Sequence, residues 1–338
     1  MSDTASHRHR PDKRRYPNDG VTARPNATLK ITVLGAGAWG SALASLARRN
    51  DQSVTIWSRH SPTSLAEAVA NADIILSAIS MKGVRSVATQ LQSANLLASQ
   101  IIITATKGLE PETNLTPSQI WQSILPKNPI VVLSGPNLSK EIEQGLPATT
   151  VMASRNELAA QTAQNAFASD KFRVYINHDP IGTELGGTLK NVMAIAAGIC
   201  DGLNLGVNAK SALIARSLPE MIRIGQLWDA SPETFVGLSG LGDLLATCSG
   251  ALSRNYRVGF GLAQGQSLEQ ILEDLQSTAE GINTTQVLAE LARKQGLDLP
   301  ISRHVYRVIQ GEITPAEAVN SLMGRTPEPE NILPAAAA

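Results

Sequence analysis

Two charged side chains stand in stretches that are otherwise small or apolar. In "ELGGTLKNVMAIAAGICD", Lys190 is the only charged residue between Glu184 and Asp201. In helical spacing its neighbours include Gly186, Gly187, Met193, Ala194 and Ala197. Such a lysine either snorkels to the surface or sits in a partly dry cleft, where desolvation lowers its pKa and makes it usable as a general base. The pattern leaves both open. Asp243 is likewise the only acid between Glu233 and Glu269, in "VGLSGLGDLLATCSGALSRNYRVG". It follows Gly240 and Gly242, and its plain explanation is a helix N-cap. Arg254 and Asn255 follow on what reads as a polar turn, where an arginine can grip a phosphate bidentately or simply be solvated.

Three loops show where such chemistry would take place. "VLGAGAWGSALA" places Gly35, Gly37 and Gly40 in a G-x-G-x-x-G pattern directly after an apolar strand and directly before a helix. The first glycine permits a tight turn, the second admits a pyrophosphate to the backbone, and the third lets helix pack on strand, while the helix N-terminus faces the anion. The same glycines could serve only the turn. "TATKGLEPET" sets Lys107 and Gly108 past another strand, and "LSGPNLSKEI" does the same with Gly135, Pro136 and Asn137. Ligands of open α/β sheets bind outside those strand ends. At the end of the second strand, where an NAD-specific protein usually carries an acid for the ribose 2′-hydroxyl, "VTIWSRHSP" offers Arg59 and His60. A cation there suits an extra phosphate, so NADP(H) is the preferred cofactor and NAD(H) a possible one. An ordinary solvated arginine is the competing explanation.

The elements that must position these residues are legible in the periodicity. From Lys30 onward, "KITVL", "SVTIW", "DIILSAIS", "IIITAT", "IVVLSG", "TTVMAS" and "FRVYI" alternate with helical segments. Apolar strands alternating with helices predict a Rossmann-type, doubly wound parallel sheet covered on both faces. Strand signals stop near Asp179, and the rest reads as helices, so a mostly α-helical substrate domain should follow and a cleft between the two should hold the substrate. The boundaries are a Rossmann domain over 29–178 and a helical domain over 179–325. Residues 1–28, with Arg8, Arg10, Lys13, Arg14, Arg15 and Arg24 against Asp3, Asp12 and Asp19, read as a disordered basic tail, and 326–338 as a second tail.

Composition narrows the function classes. The 338 residues exceed what one core usually supports, and 43% hydrophobic content supplies material for two. The formal net charge is zero, which excludes a global field that draws nucleic acid and makes any attraction for anions local. Only Cys200 and Cys248 occur, without metal-type spacing, and five scattered histidines form no ligand cluster. No metal is expected, and a reducing cytoplasm fits best. No run of 18 apolar residues exists and the start lacks a secretory apolar stretch, so no membrane insertion is expected.

Taken in order, "GAGAWGSALA", "TATKGLE", "SGPNLSKEI", "LGGTLKNVMAIAAGICDGLNLGVNAKSALI", "GLSGLGDLLATC", "SRNYRVG" and "AEGINTTQ" resemble the motifs of the bacterial NAD(P)-dependent glycerol-3-phosphate dehydrogenases, from about Lys30 to Arg325. The resemblance implies reversible hydride transfer between the nicotinamide cofactor and dihydroxyacetone phosphate, giving sn-glycerol 3-phosphate for phospholipid synthesis. It implies Lys190 as proton donor and acceptor, with Asp243 holding it, and Lys107 beside both substrate and cofactor. It implies Gly135, Asn137, Ser253, Arg254 and Asn255 around the substrate. Around the cofactor it implies Gly35, Gly37, Ala38, Trp39, Gly40, Ser139, Arg254, Thr278 and Glu280, and a homodimer as the common assembly.

Three positions depart from the pattern. Ala38 replaces a small polar residue in the glycine loop, Ser139 replaces a common alanine, and only about a dozen residues separate Arg59 from Asp73 where the family inserts a longer excursion. The rivals are a two-domain hydroxyacid-type dehydrogenase and a non-catalytic NADP(H)-sensing protein.

Overall fold

A computed structural model describes residues 28–250, 252–276, 278–327 and 330. The two predicted tails fall almost entirely outside these residues.

Seven strands form one sheet: β1 (Lys30–Leu34), β2 (Ser53–Trp57), β3 (Ile74–Ser77), β4 (Ile101–Thr104), β5 (Ile130–Ser134), β6 (Ala148–Ala153) and β7 (Phe172–Asn177), in spatial order β2-β1-β3-β4-β5-β6-β7. The helices between them are α1 (Ala38–Arg49), α2 (Leu65–Val69), α3 (Met81–Gln92), α4 (Pro117–Ile124), α5 (Ser139–Glu143) and α6 (Glu157–Phe167). Alternate strand residues feed two cores. Ile31, Val33, Leu76 and Ile103 pack with Leu43 and Ala47 of α1 on one face, and Leu34, Ile75 and Ile102 pack with Val84, Leu91 and Trp121 on the other. Burial on both faces is why these strands read as continuous apolar runs.

The sheet is parallel from β2 through β5, but β6 runs antiparallel to β5, and β7 is parallel to β6. The expected doubly wound parallel sheet is present, and the β5–β6 pairing is its one departure. The connection after Ser134 carries only the five-residue α5 before β6, too little helix for a crossover that would return the chain to the opposite edge. Apolar content alone cannot reveal that reversal, because a strand buried on both faces reads alike in either direction.

From β1 the chain steps outward to β2 and then back across to β3 on the other side. The crossovers therefore diverge at β1 and β3 and open a crevice at the strands' carboxyl ends. Register puts the loops there side by side: Leu34 pairs with Trp57 and with Ser77, and Ser77 with Thr104.

The remaining helices are α7 (Pro180–Gly202), α8 (Gly206–Gly225), α9 (Pro232–Phe235), α10 (Asp243–Cys248), α11 (Arg254–Ala263), α12 (Leu268–Leu275), α13 (Glu280–Gln295), α14 (Pro300–Ile309) and α15 (Pro315–Met323), with a π-helical turn at Leu238–Gly242 before α10. They wrap α7, which is buried along nearly its whole length and also lies against β5. Asp179 starts α7 firmly. Its Oδ1 accepts from the Gly182 N–H at 2.8 Å, and its Oδ2 accepts from Ser231 and Thr234, while Pro180 needs no acceptor in the first turn. Leu189, Val192 and Ile195 fill the surrounding core. Each such side chain contributes about 1.5–3 kcal/mol on burial, enough between them to offset the several kcal/mol that a buried charge on the same helix costs.

Candidate active site

Lys190 projects from the middle of α7, and its residue is 6% exposed. Its ammonium donates to Asp243 Oδ1 and, at 2.6 Å, to the Thr247 hydroxyl. Asp243, 1% exposed, begins α10, and its other oxygen accepts from Lys107 Nζ at 2.6 Å. One carboxylate thus holds two ammonium groups drawn from segments 136 and 53 residues away. The N-cap alternative for Asp243 does not hold: Gly242 occupies that position, and the carboxylate faces the lysines. Snorkelling does not hold for Lys190 either. Burial pushes its pKa down to about 7; the Asp243 charge opposes this and the neighbouring Lys107 charge adds to it.

Small residues let these parts approach. A Cβ on Gly187 would lie 2.3 Å from Ser134 Oγ and 3.2 Å from Lys107 Cε, so any larger residue there would displace the Lys107 stem. Thr247 was not singled out in the sequence. Its signal was its place four residues after Asp243 on a helix, which turns it toward the same partner. Its hydroxyl donates back to the Asp243 carbonyl and accepts from Lys190.

The glycine loop divides its work as the motif requires. Gly35 has φ +113°, and a Cβ there would meet the Ala78 carbonyl oxygen at 2.7 Å; at Gly40 a Cβ would lie 2.0 Å from the Gly35 carbonyl oxygen. A Cβ on Gly37, the N-cap of α1, would meet nothing within 4 Å, and no side chain caps this helix start. A helix end with uncovered N–H groups beside open space fits a pyrophosphate. Ala38 is exposed at the first helical position. The Trp39 indole N–H donates to the Ala105 carbonyl at 3.2 Å, so that side chain ties the glycine loop to the segment carrying Lys107. Gly35 N–H donates to Trp57 O, which brings the end of β2 alongside. Arg59 and His60 follow it on an exposed turn closed by Ser58 and Ser61.

Several expected contact residues spend their side chains within the protein. The Asn137 amide donates to Thr149 O and accepts from Thr150 Oγ1, both at 2.8 Å, pinning the loop after β5; Gly135 in that loop has φ +154°. Arg254 and Asn255 do not stand on a turn, as the polar run suggested: they open α11, and Ser253 is its N-cap, accepting from the Tyr256 N–H. Asn255 Oδ1 accepts from Gly281 N–H at 3.0 Å and so joins α11 to α13. Arg254 stays exposed, and its charge reaches Glu280. Glu280 accepts from the Met81 N–H at the start of α3, bridging sheet domain and helical domain; its pKa is raised because burial outweighs that hydrogen bond and the charges of Arg254 and Lys82. Ser139 begins α5, partly buried, and Thr278 is exposed two residues before Glu280.

Similarity to known proteins agrees with this geometry. The family profile described as NAD-dependent glycerol-3-phosphate dehydrogenase C-terminus matches residues 179–320, and the one described as the N-terminus of the same enzymes matches 30–63 and 60–160. The chain belongs to the NAD-dependent glycerol-3-phosphate dehydrogenase family. The break in the N-terminal match of this dehydrogenase falls at the short connection after Arg59. It is 61% identical over 303 residues to glycerol-3-phosphate dehydrogenase [NAD(P)+] of Synechocystis sp., covering 90% of this chain and 96% of that one. It is 63% identical over 300 residues to the protein of the same name from Trichormus variabilis, covering 89% and 98%. Among solved structures, the glycerol-3-phosphate dehydrogenase of Coxiella burnetii superposes with a TM-score of 0.84 at 33% identity, covering 88% of this chain and 99% of that one. As a member of this family the dehydrogenase is an oxidoreductase, and both NAD(H) and NADP(H) fit it. No helix of the described residues is long and apolar enough to cross a membrane.

Proposed function

We infer that this dehydrogenase reduces dihydroxyacetone phosphate reversibly to sn-glycerol 3-phosphate, with Lys190 delivering the proton and Asp243 holding Lys190 in place. The observation that carries this reading is the buried Lys107–Asp243–Lys190 arrangement, which joins the segment after β4 to α7 and α10. The bound nicotinamide supplies or receives the hydride at the carbonyl carbon. The chain's task is then to move one proton to or from the adjacent oxygen. An ammonium whose pKa lies near 7 suits both directions, because it gives a proton as readily as it regains one.

Phosphate recognition falls to Arg254 and the first turn of α11, with Lys107 contributing positive charge. Local cations and helix ends let a chain of zero net charge bind anionic ligands. Asn137, Ser253 and Asn255 support these groups through the internal hydrogen bonds described above. Gly35, Gly37, Ala38 and Gly40 present backbone to the cofactor, and Trp39 holds that loop against the Lys107 segment. Arg59 and His60, exposed beside the loop, favour NADP(H) over NAD(H). On this reading the enzyme is a cytoplasmic homodimer that supplies phospholipid synthesis, and its two domains divide near Asp179, where the last strand gives way to α7.

The deciding assay follows oxidation of NADPH, with NADH in parallel, on addition of dihydroxyacetone phosphate or of 2-keto acids. Turnover with dihydroxyacetone phosphate is expected. Turnover only with 2-keto acids would overturn the substrate assignment, and cofactor binding without turnover on either would leave a sensing protein.

A further inference from the structure

We propose that Glu184 is a positioning residue for the reaction, holding from α7 the far end of the segment that carries Lys107 and thereby fixing where the Lys107 ammonium stands. The proposal rests on the reading of Lys107 as a substrate-binding group.

Residues 105–118 lead from the end of β4 into α4, and Lys107 is their only cation. The start of the segment is tied down by Trp39 on Ala105 O, by Thr106 Oγ1 on Ile79 O at 2.9 Å, and by Gly108 N–H donating to Thr188 Oγ1 at 3.1 Å. Its far end is tied by Glu184: Oε1 accepts from Ser118 N–H at 2.9 Å, and Oε2 accepts from the Ser118 hydroxyl at 2.5 Å. Between the anchors the chain closes on itself, with Glu110 N–H donating to Leu115 O, Asn114 N–H to Glu110 O, and Leu109 buried. The segment is thus pinned at both ends, and Arg85 grips Glu110 between them.

Both of the α7 anchors lie on one rigid element. Glu184 and Thr188 are four residues apart, on the same face of α7, and Lys190 follows within the next turn. One helix therefore sets the spacing between Lys190 and the segment bearing Lys107, the two cations that Asp243 joins. A simpler purpose for Glu184, capping α4, is already served. Thr116 and Gln119 form a complete capping box at that helix start, and Pro117 has no N–H to satisfy. A carboxylate that is 2% exposed is a costly acceptor for the single remaining N–H and hydroxyl of Ser118. Its two hydrogen bonds tie the far end of the segment to the helical domain, as the Lys107–Asp243 pair and the Gly108–Thr188 bond tie its near end.

The test uses the full-length enzyme, with steady-state kinetics in varied dihydroxyacetone phosphate and separate NADPH titrations. Glu184→Gln and Ser118→Ala are each expected to raise KM for dihydroxyacetone phosphate between about tenfold and a hundredfold, as for misplacement of a substrate-holding group. NADPH affinity should stay within about twofold. In a Lys107→Ala background the Glu184→Gln change should add nothing further, because residues acting through one another are non-additive. Equal losses in both backgrounds, or an unchanged KM where Lys107 is intact, would overturn the proposal and leave Glu184 a packing residue. If Lys107→Ala itself left KM unchanged, the reading of Lys107 and this proposal would fall together, which separates the two failures. Ser118→Ala removes one hydroxyl and keeps the test decisive should Glu184→Gln fold poorly.

Discussion

Lys190 and Asp243, on α7 and α10, form a buried ion pair in which the carboxylate is shared with Lys107. One negative charge therefore faces two positive ones, and burial loosens the proton of Lys190, the deeper of the two lysines.

The pH dependence follows from the burial of Lys190, which the Asp243 charge only partly offsets. Reduction needs Lys190 protonated and oxidation needs it neutral. With its pKa lowered to about 7, kcat/KM for dihydroxyacetone phosphate should fall about tenfold per pH unit above that value, and kcat/KM for glycerol 3-phosphate should fall in the same way below it. Lys190→Ala should remove this limb and lower kcat by roughly 10²–10⁴ while sparing NADPH affinity. Paired pH–rate profiles in the two directions check the sign.

Removing the shared anion should loosen the proton further. In Asp243→Asn the two ammonium groups lose their counter-charge, and Lys190 is left with burial and Lys107 against it. The reductive limb should move to pH values well below 7, so that activity lost at neutral pH partly returns on acidification. A variant profile that keeps the original inflection would show that Asp243 does not govern Lys190.

Cofactor choice should answer to the turn after β2. Arg59 is exposed and makes no side-chain hydrogen bond or ion pair among the described residues, so its charge is available to a 2′-phosphate. Arg59→Asp should lower the ratio of NADPH to NADH kcat/KM by about tenfold or more, the usual scale for a charge-assisted contact of about 1.5–3 kcal/mol. An unchanged ratio would remove Arg59 from the cofactor site.

Glu184 should also leave a mark on stability. Burial raises its pKa from 4.5 to about 7 despite the hydrogen bonds from Ser118. The folded state thus holds a proton that the unfolded state has released between those values. The associated stability, about 3 kcal/mol, is fully present below pH 4.5 and is lost as pH rises to about 7. Relative to Glu184→Gln, whose amide does not titrate, the natural protein should lose about 5 °C of thermal midpoint between pH 4.5 and 7.5. Parallel melting curves across that range measure it.

Much of this was legible in the chain itself. Strand and helix alternation, the glycine loop and the change to helices near Asp179 rest on local periodicity and turn chemistry, which a sequence displays directly. Lys190 and Asp243 stood out because a lone charge in apolar company has few explanations. Glu184 was visible in the same way, as the charge that bounds the α7 stretch, but nothing local named its partner.

What the sequence determined by itself was thus the order and type of the elements, the loops gathered at the sheet's carboxyl edge and the residues able to do chemistry. The family resemblance already paired Asp243 with Lys190; only the tertiary structure decided the other partners. Asp243 also joins Lys107 across 136 residues, Glu184 reaches Ser118 across 66, and β6 runs against β5. Electrostatic and hydrogen-bond partners are chosen by distances of a few ångströms in space and by the local exclusion of water, and neither is encoded in the period of a helix or a strand.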